Sequence, residues 1–146
     1  MLELDTLRGQ VETHLNKLLP AESSIAQPML DAMRHAVLGG GKRMRPMFAC
    51  ASCEAFGGDL QAALVSGCAL EFIHSYSLIH DDLPAMDDDD IRHGQPSTHI
   101  AFGEANAILA GDSLHSLAFQ AVVDSDELLD ASKLRIIQLL SDAAGW

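Results

Sequence analysis

The sequence predicts an all-α protein, and three observations support that fold class. Apolar residues make up 48% of the 146 residues, which is enough to bury the core of one compact domain. Alanine and leucine are abundant and β-branched residues are few, a composition that favours helices over strands. Glycine and proline fall in clusters, and the segments between them carry apolar residues at helical spacing. We therefore expect residues 1–146 to form a single helical domain.

Six helices are predicted, each from its apolar periodicity and from the breakers at its ends. Pro20 stops the first helix, and Ser23 or Ser24 is a candidate N-cap for the second. The three glycines that begin at Gly39 end the second helix, and Pro46 is tolerated in the first turn of the third. The predicted ranges are 2–19, 26–38, 45–56, 60–83, 102–123 and 128–143, with a loop over 88–97.

The fourth predicted helix is apolar nearly all round, which is typical of the middle helix of a bundle. It nevertheless carries a polar stripe, on which His74 and Asp81 lie about 20° apart around the helix axis. Because buried charge must be paired or bound to a metal, this face is expected to line a cavity. Asp81 and Asp87 would lie about 120° apart on an unbroken helix, so their carboxylates converge only if the chain bends near Pro84 and Met86.

An acidic run and a basic run suggest what that cavity holds. Aspartates fill most of the stretch HDDLPAMDDDD, residues 80–90, and such crowding suits a cation. Mg²⁺ prefers oxygen ligands, keeps several waters and usually serves a phosphate. The stretch GGGKRMRP, residues 39–46, supplies Lys42, Arg43 and Arg45 to bind a phosphate from its other side. The two runs together predict a di- or triphosphate held between Mg²⁺ and the basic loop.

Each signal has a simpler interpretation when it is taken alone. An acidic run is most often a solvated loop, and an isolated histidine such as His74 is more often a hydrogen-bonded interior residue than a ligand. The aspartate spacing is not that of an EF-hand, and GGGKRMRP lacks the spacing and the following Ser or Thr of a Walker A loop. The co-occurrence of the two runs, one helix apart, favours the functional interpretation.

Composition also excludes some partners and compartments. A net charge of −12 argues against nucleic acid and against an anionic membrane surface. Cys50 and Cys53 could belong to a redox or zinc motif, but there is no second pair, so free thiols and small buried hydrophobes are the better interpretation. The first ten residues do not form a signal peptide, and no 18-residue segment is free of polar interruption. We therefore expect a cytoplasmic protein without membrane insertion.

Three stretches carry a resemblance to a known family. GGGKRMRP, EFIHSYSLIHDDLPAMDDDDIRHGQPSTH and FGEANAILAGD resemble the trans-isoprenyl diphosphate synthases in order and spacing, and most closely the bacterial farnesyl diphosphate synthases. The similarity covers most of the chain from about Met33 onward. It implies an isoprenoid-synthase helical bundle around a central cavity, usually a homodimer. It also implies Mg²⁺-dependent condensation of isopentenyl diphosphate with an allylic diphosphate, dimethylallyl or geranyl.

The resemblance implies a role for each matching residue. Asp81 and Asp87 match Mg²⁺ ligands that grip the allylic diphosphate, with Asp82 supporting them. Lys42, Arg45 and His74 match positions that hold isopentenyl diphosphate, and Arg92 matches an arginine on the allylic diphosphate. The full set of candidate substrate-binding residues is Gly41, Lys42, Arg45, His74, Arg92 and His93. No protein nucleophile is implied, so the protein would supply positioning and electrostatics.

Product length depends on Tyr76 in this interpretation. Tyr76 lies five residues before Asp81. In the family, a bulky side chain at this position closes the bottom of the product pocket and favours a farnesyl product. A tyrosine packed in the core is an equally good interpretation of the sequence alone. Geranyl and geranylgeranyl diphosphate therefore remain open as products.

Two departures from the family pattern matter. His93 stands where the family usually has a second arginine, so this contact is expected to be weaker or pH-dependent. Family members are also substantially longer, and a second aspartate-rich motif that holds a third metal lies in their following half. We therefore interpret residues 1–146 as the N-terminal half of such a bundle. The isolated chain is expected to be inactive, and its last helix to expose an apolar face that promotes association.

The sequence disfavours two other functions. A non-catalytic small subunit or scaffold of a prenyl synthase is disfavoured, because a subunit without activity has no reason to keep the first aspartate motif. A class I terpene cyclase of the same bundle class is disfavoured by GGGKRMRP, because a cyclase has no second diphosphate to hold.

Overall fold

The computed structural model describes residues 3–22 and 25–145, and helices dominate these residues. The predicted all-α class is confirmed. The candidate N-caps Ser23 and Ser24 lie outside the described residues. The elements are α1 (Leu4–Leu18), α2 (Gln27–Leu38), α3 (Met44–Ala55), α4 (Leu60–Asp81), β1 (Ile91–Arg92), β2 (Gln95–Pro96), α5 (Thr98–Phe102), α6 (Glu104–Val123) and α7 (Asp130–Ala144).

The central helix of the bundle is α4, as its all-round apolar character predicts. It packs most extensively against α6 and α3, and it also contacts α1, α2 and α7. Asp59 caps its N-terminus by accepting a hydrogen bond of 2.9 Å from the Gln61 amide. By length and composition α4 could cross a membrane, but 56% of its apolar stretch is buried in the fold, as in the core helix of a bundle. Phe72 is completely buried at its middle.

Small residues and an amphipathic face set the packing on either side of α4. The buried face of α1 consists of Leu7, Val11 and Leu15 at helical spacing. Gly67 lets α3 approach α4 closely, because a Cβ atom built there would lie 2.7 Å from the Cα of Pro46. The basic loop that precedes α3 is thereby brought against the polar stripe of α4.

The prediction for residues 88–123 is wrong in two places. Gly103, with φ of 83°, separates α5 from α6, so the predicted helix over 102–123 begins at Glu104. The predicted loop over 88–97 contains a hairpin, in which β1 pairs antiparallel with β2. His93 and Gly94 both have positive φ at its tip, the backbone that a tight two-residue hairpin turn requires. This turn signal was missed because histidine rarely supplies it.

The last helix confirms the expected exposure of apolar side chains. Leu134 of α7 is 72% exposed and Leu139 is 50% exposed, whereas Leu140 packs against the core. Association through this face stays a prediction.

The cysteines behave as predicted from the lack of a second pair. Cys50, Cys53 and Cys68 are free thiols. Burial raises the pKa of Cys50 to about 11 and the pKa of Cys68 to about 12. Both therefore stay protonated near neutral pH, which suits small core residues rather than reactive groups.

Candidate functional site

A cavity of about 270 Å³ lies between the GGGKRMRP loop and α4, and we call it the basic cavity. Its lining combines loop residues with one face of α4 and the tip of the hairpin. Five of the six predicted substrate-binding residues line it, and they are Gly41, Lys42, Arg45, His74 and His93. The remaining lining residues are Ala36, Gly40, Arg43, Met44, Glu71, Ser75 and Leu78.

The loop of the basic cavity adopts an unusual backbone. Gly40 and Gly41 have φ of 124° and 116°, and Arg43 has φ of 51°. Glycine adopts such conformations readily, but a non-glycine residue in the left-handed region costs roughly 1–2 kcal/mol. Such a conformation persists only where surrounding contacts enforce it.

Those contacts are made by the Arg43 side chain, which is only 3% exposed. Its Nε donates to Glu12 at 2.7 Å, its Nη1 donates to Glu71 at 3.0 Å, and its Nη2 donates to the Val37 carbonyl at 2.6 Å. Burial by itself lowers the pKa of Arg43, but the hydrogen bonds and charges of the two glutamates outweigh burial and raise it. Arg43 is therefore a permanently charged internal anchor.

Because Arg43 is held by these contacts, fewer cationic side chains of the loop are available to bind a phosphate. Of the three basic residues predicted to face it, Arg43 is committed to two glutamates. Lys42 and Arg45 are exposed, and neither makes an ion pair within residues 3–22 and 25–145. The unpaired positive charge of the cavity therefore comes from these two side chains, which suits an anion such as a phosphate.

Two histidines complete the basic cavity. Burial, followed by the nearby charge of Arg45, lowers the pKa of His74 below its ordinary value of 6.5. His74 is therefore mainly neutral at pH 7, and it offers one N–H to a ligand. The ring of His93 lies over the loop glycines, because its Nε2 would be 3.8 Å from a Cβ atom built at Gly41.

The predicted bend after α4 is present. The helix ends at Asp81, and the Asp87 amide donates to the Asp81 carbonyl at 2.8 Å. A further hydrogen bond, from the Met86 amide to the Leu83 carbonyl, closes the turn from within. The backbone of Asp87 thus returns to the C-terminal end of α4, which an unbroken helix would not allow.

The donor chemistry at this turn fits Mg²⁺. The carboxylate of Asp81 is partly exposed and that of Asp87 is exposed, and neither makes a hydrogen bond or ion pair with another described residue. The described residues contain no group of three or more His, Cys, Asp or Glu side chains that could hold a metal. Mg²⁺ is commonly bound by one or two carboxylates together with substrate phosphates, so two hard oxygen donors suffice for it. The metal role of Asp81 and Asp87 stays a prediction.

The carboxylate of Asp82 binds the neighbouring hairpin. Asp82 is 2% exposed, and its carboxylate binds Arg92 through both Nε and Nη2. Arg92 also donates to Asp89 at 3.2 Å. The hydrogen bond that Arg92 donates to Asp82 is the main cause that raises the pKa of Arg92. Asp82 therefore orients Arg92, whose contact with an allylic diphosphate is implied by the resemblance and stays a prediction.

Arg92 is the candidate substrate-binding residue that the structure places outside the basic cavity. It lines an adjacent cavity of about 30 Å³ between α2, α4 and the hairpin. Ser75, Leu78 and His93 line both cavities, so the two are neighbours.

Tyr76 packs among aromatic rings of α4 and α6. Its ring centroid lies 5.0 Å from that of His115 and 5.8 Å from that of His80, both in edge-to-face geometry. This packing agrees with a core tyrosine and also with a bulky floor, so its effect on product length stays a prediction.

Sequence reasoning missed two residues of α1 that contact the loop. Glu12 binds Arg43, and Arg8 Nη2 donates to the Gly41 carbonyl at 3.0 Å. Both lie on the polar side of an amphipathic helix, and no local signal distinguishes them from ordinary solvated residues.

Comparison with known proteins connects this geometry to a family. The profile described as polyprenyl synthetase matches residues 26–145. The farnesyl diphosphate synthase of Haemophilus influenzae is 46% identical over 140 residues, which cover 93% of this chain and 48% of that protein. The chloroplastic geranylgeranyl pyrophosphate synthase of Capsicum annuum is also 46% identical, over 82% of this chain and 33% of that protein.

Solved structures agree with this match. The crystal structure of an FPP/GFPP synthase from Zymomonas mobilis aligns with a TM-score of 0.92 and 41% identity, covering 97% of this chain and 51% of that one. The chain thus spans about half the length of the bacterial relatives it matches. Because the family profile covers most of the sequence and close relatives match nearly all of it, the chain belongs to the polyprenyl synthetase family.

Proposed function

We propose that this chain forms part of a prenyltransferase that condenses isopentenyl diphosphate with an allylic diphosphate, dimethylallyl or geranyl, to give farnesyl diphosphate. The observation that carries the proposal is the basic cavity. It collects Lys42, Arg45 and His74 beside α4, and the turn of Asp81 and Asp87 ends the same helix. One helix thus supports a cationic site and an acidic site, as a reaction between two diphosphates requires.

Each group of side chains has its own task in this proposal. Lys42, Arg45 and His74 bind the diphosphate of the isopentenyl substrate, and Gly41 and His93 shape the entrance above it.

The allylic diphosphate is bound at the end of α4. Arg92, oriented by Asp82, contacts it. Asp81 and Asp87 would hold Mg²⁺, which when bound offsets the charge that develops on the allylic diphosphate as it leaves.

The organic step needs no protein nucleophile. The allylic carbon–oxygen bond breaks, the isopentenyl double bond attacks the allylic carbon, and a proton is then lost to the departing diphosphate. The fixed charges around both diphosphates stabilise this separation of charge. Apolar side chains of α4, such as Leu78 and Ile79, shield the allylic cation from water.

The farnesyl product rests on Tyr76 and on the names of the bacterial relatives. The plant relative at equal identity is named for geranylgeranyl diphosphate, so geranylgeranyl diphosphate is the alternative product. We also propose that the active protein is a cytoplasmic homodimer. The 146 residues alone are proposed to bind substrate without condensing it, because they carry one acidic motif where the resemblance implies two.

Titration of isopentenyl diphosphate into the chain tests the proposed site. The variant that combines Lys42→Gln with Arg45→Gln removes both unpaired cations of the cavity. Because a hydrogen bond to a charged group contributes roughly 1.5–3 kcal/mol, we expect affinity to fall at least tenfold. Arg135→Gln is the control, since Arg135 is an exposed arginine of α7 that donates to Gln138. Equal affinity of the double variant and the wild-type chain would contradict the proposal.

A further inference from the structure

We propose that Arg43 and Glu12 are positioning residues, through which α1 holds the diphosphate-binding loop in its binding shape. This inference rests on the proposed function. It assigns a role to the N-terminal helix, which lies outside residues 26–145 matched by the family profile. It also gives Arg43 a different role from Lys42 and Arg45, the two cations that flank it in the loop.

The guanidinium of Arg43 joins three helices at one point. It reaches Glu12 of α1 with two hydrogen bonds, at 2.7 and 3.2 Å, Glu71 of α4 at 3.0 Å, and the Val37 carbonyl at the end of α2 at 2.6 Å. All three of its nitrogens have an acceptor. A lysine offers a single nitrogen and could not reproduce these directions.

The loop itself needs such an anchor. Three of the four residues from Gly40 to Arg43 have positive φ, and Arg43 is one of the three non-glycine residues with positive φ within the described chain. A second contact from α1, the hydrogen bond of 3.0 Å from Arg8 to the Gly41 carbonyl, holds the same loop two residues earlier. Two adjacent turns of α1 therefore grip the loop.

Burial of Arg43 determines which side chains of the loop face the basic cavity. Arg43 is 3% exposed, while Lys42 and Arg45 are exposed and line the basic cavity. The two glutamates offset the charge of Arg43, and Arg43 in turn offsets Glu71, which also lines the cavity. Without this pairing, an uncompensated carboxylate would face a bound diphosphate.

The rate of trypsin cleavage after Lys42 measures how often the loop opens in the absence of any ligand. We expect Glu12→Ala to speed this cleavage severalfold, because opening of the loop exposes the bond. Arg43→Lys should do the same, because it keeps the charge but loses most of the hydrogen bonds. Asp5→Ala is the matched control, since Asp5 is an exposed acidic residue in the first turn of α1. Glu12 is partly exposed, so its truncation leaves the buried face of α1 intact.

Calorimetric titration of isopentenyl diphosphate, well below the unfolding temperature, supplies the second measurement. Both variants should bind about fivefold to a hundredfold more weakly than the wild-type chain, a usual range for coupling between two sites. A merely structural role would lower thermal stability and leave the affinity of the folded chain unchanged.

The outcomes separate this inference from the proposed function. Wild-type rates of cleavage in both variants overturn the inference, whatever the ligand does. Unchanged affinity in variants that are cleaved faster overturns it as well. If the wild-type chain does not bind isopentenyl diphosphate, the proposed function fails, and the cleavage rates alone then support or overturn the anchoring by α1.

Discussion

His74 makes the basic cavity sensitive to pH. Burial and the charge of Arg45 hold its pKa below 6.5, so the empty cavity keeps the imidazole neutral near pH 7. A bound diphosphate places negative charge beside the ring, which favours the imidazolium and raises the pKa. His74 should therefore take up protons on binding, and its contribution to affinity should rise as the pH falls toward and below about 6.5.

Calorimetry in buffers of different ionisation enthalpy measures this proton uptake. We expect the wild-type chain to take up more protons than His74→Gln when isopentenyl diphosphate binds at pH 6.5. The comparison cancels the titration of the ligand itself, because both proteins bind the same ligand. Equal uptake by the two proteins would show that His74 does not face the diphosphate.

Packing of α3 on α4 determines where the basic loop sits. Gly67 is the point of closest approach, since a Cβ atom there would lie 2.7 Å from the Pro46 backbone. Gly67→Ala should therefore push α3 away and destabilise the fold by about 1–3 kcal/mol, the usual cost of overpacking. Urea unfolding measures this change.

Gly9→Ala is the control for that substitution. Gly9 lies inside α1, and a Cβ atom built there meets no atom within 4 Å. Because alanine favours a helix over glycine, this variant should be neutral or stabilised by up to about 1 kcal/mol. Similar losses of stability in both variants would contradict the proposed packing of α3 on α4.

How far the sequence predicts an element depends on whether the signal is local. The six predicted helices follow from periodicity and from glycine and proline breakers, so their ends differ from prediction by a few residues at most, whereas the short helix α5 was not predicted. The break at Gly103 and the hairpin at His93 and Gly94 were missed, because they depend on backbone angles that these residue types do not dictate.

In the candidate site, too, local signals were predicted from the sequence and contacts between distant helices were not. The polar stripe of α4 predicted a cavity on that face, and His74 lines one together with Lys42 and Arg45, whose roles as ligands stay predictions. The anchor formed by Glu12 and Arg43 was missed, because it joins helices that are distant in sequence. By its charge, Arg43 is equivalent to Lys42 and Arg45 as a candidate phosphate ligand. Only its burial shows that it has a different role.

Charge across the bundle supports the proposal of a metal at the acidic turn. The chain carries a net charge of −12, so its overall field repels a diphosphate. Lys42 and Arg45 reverse that field locally in the basic cavity. Asp81, Asp82 and Asp87 have the opposite effect at the end of α4, where Arg92 pairs with Asp82 and Asp89 and leaves Asp81 and Asp87 without an ion pair among the described residues. In the proposed function, an allylic diphosphate would therefore bind there together with a divalent cation.

The most direct test is therefore the Mg²⁺ dependence of geranyl diphosphate binding. In the wild-type chain, Mg²⁺ should raise affinity about tenfold or more, equivalent to about 1.4 kcal/mol. A control with two exposed aspartates near α7 changed, Asp126→Asn with Asp130→Asn, has the same charge and should respond equally. The variant Asp81→Asn with Asp87→Asn should lose the Mg²⁺ effect. If that variant keeps the full effect of Mg²⁺, these carboxylates do not hold the metal and the account is wrong.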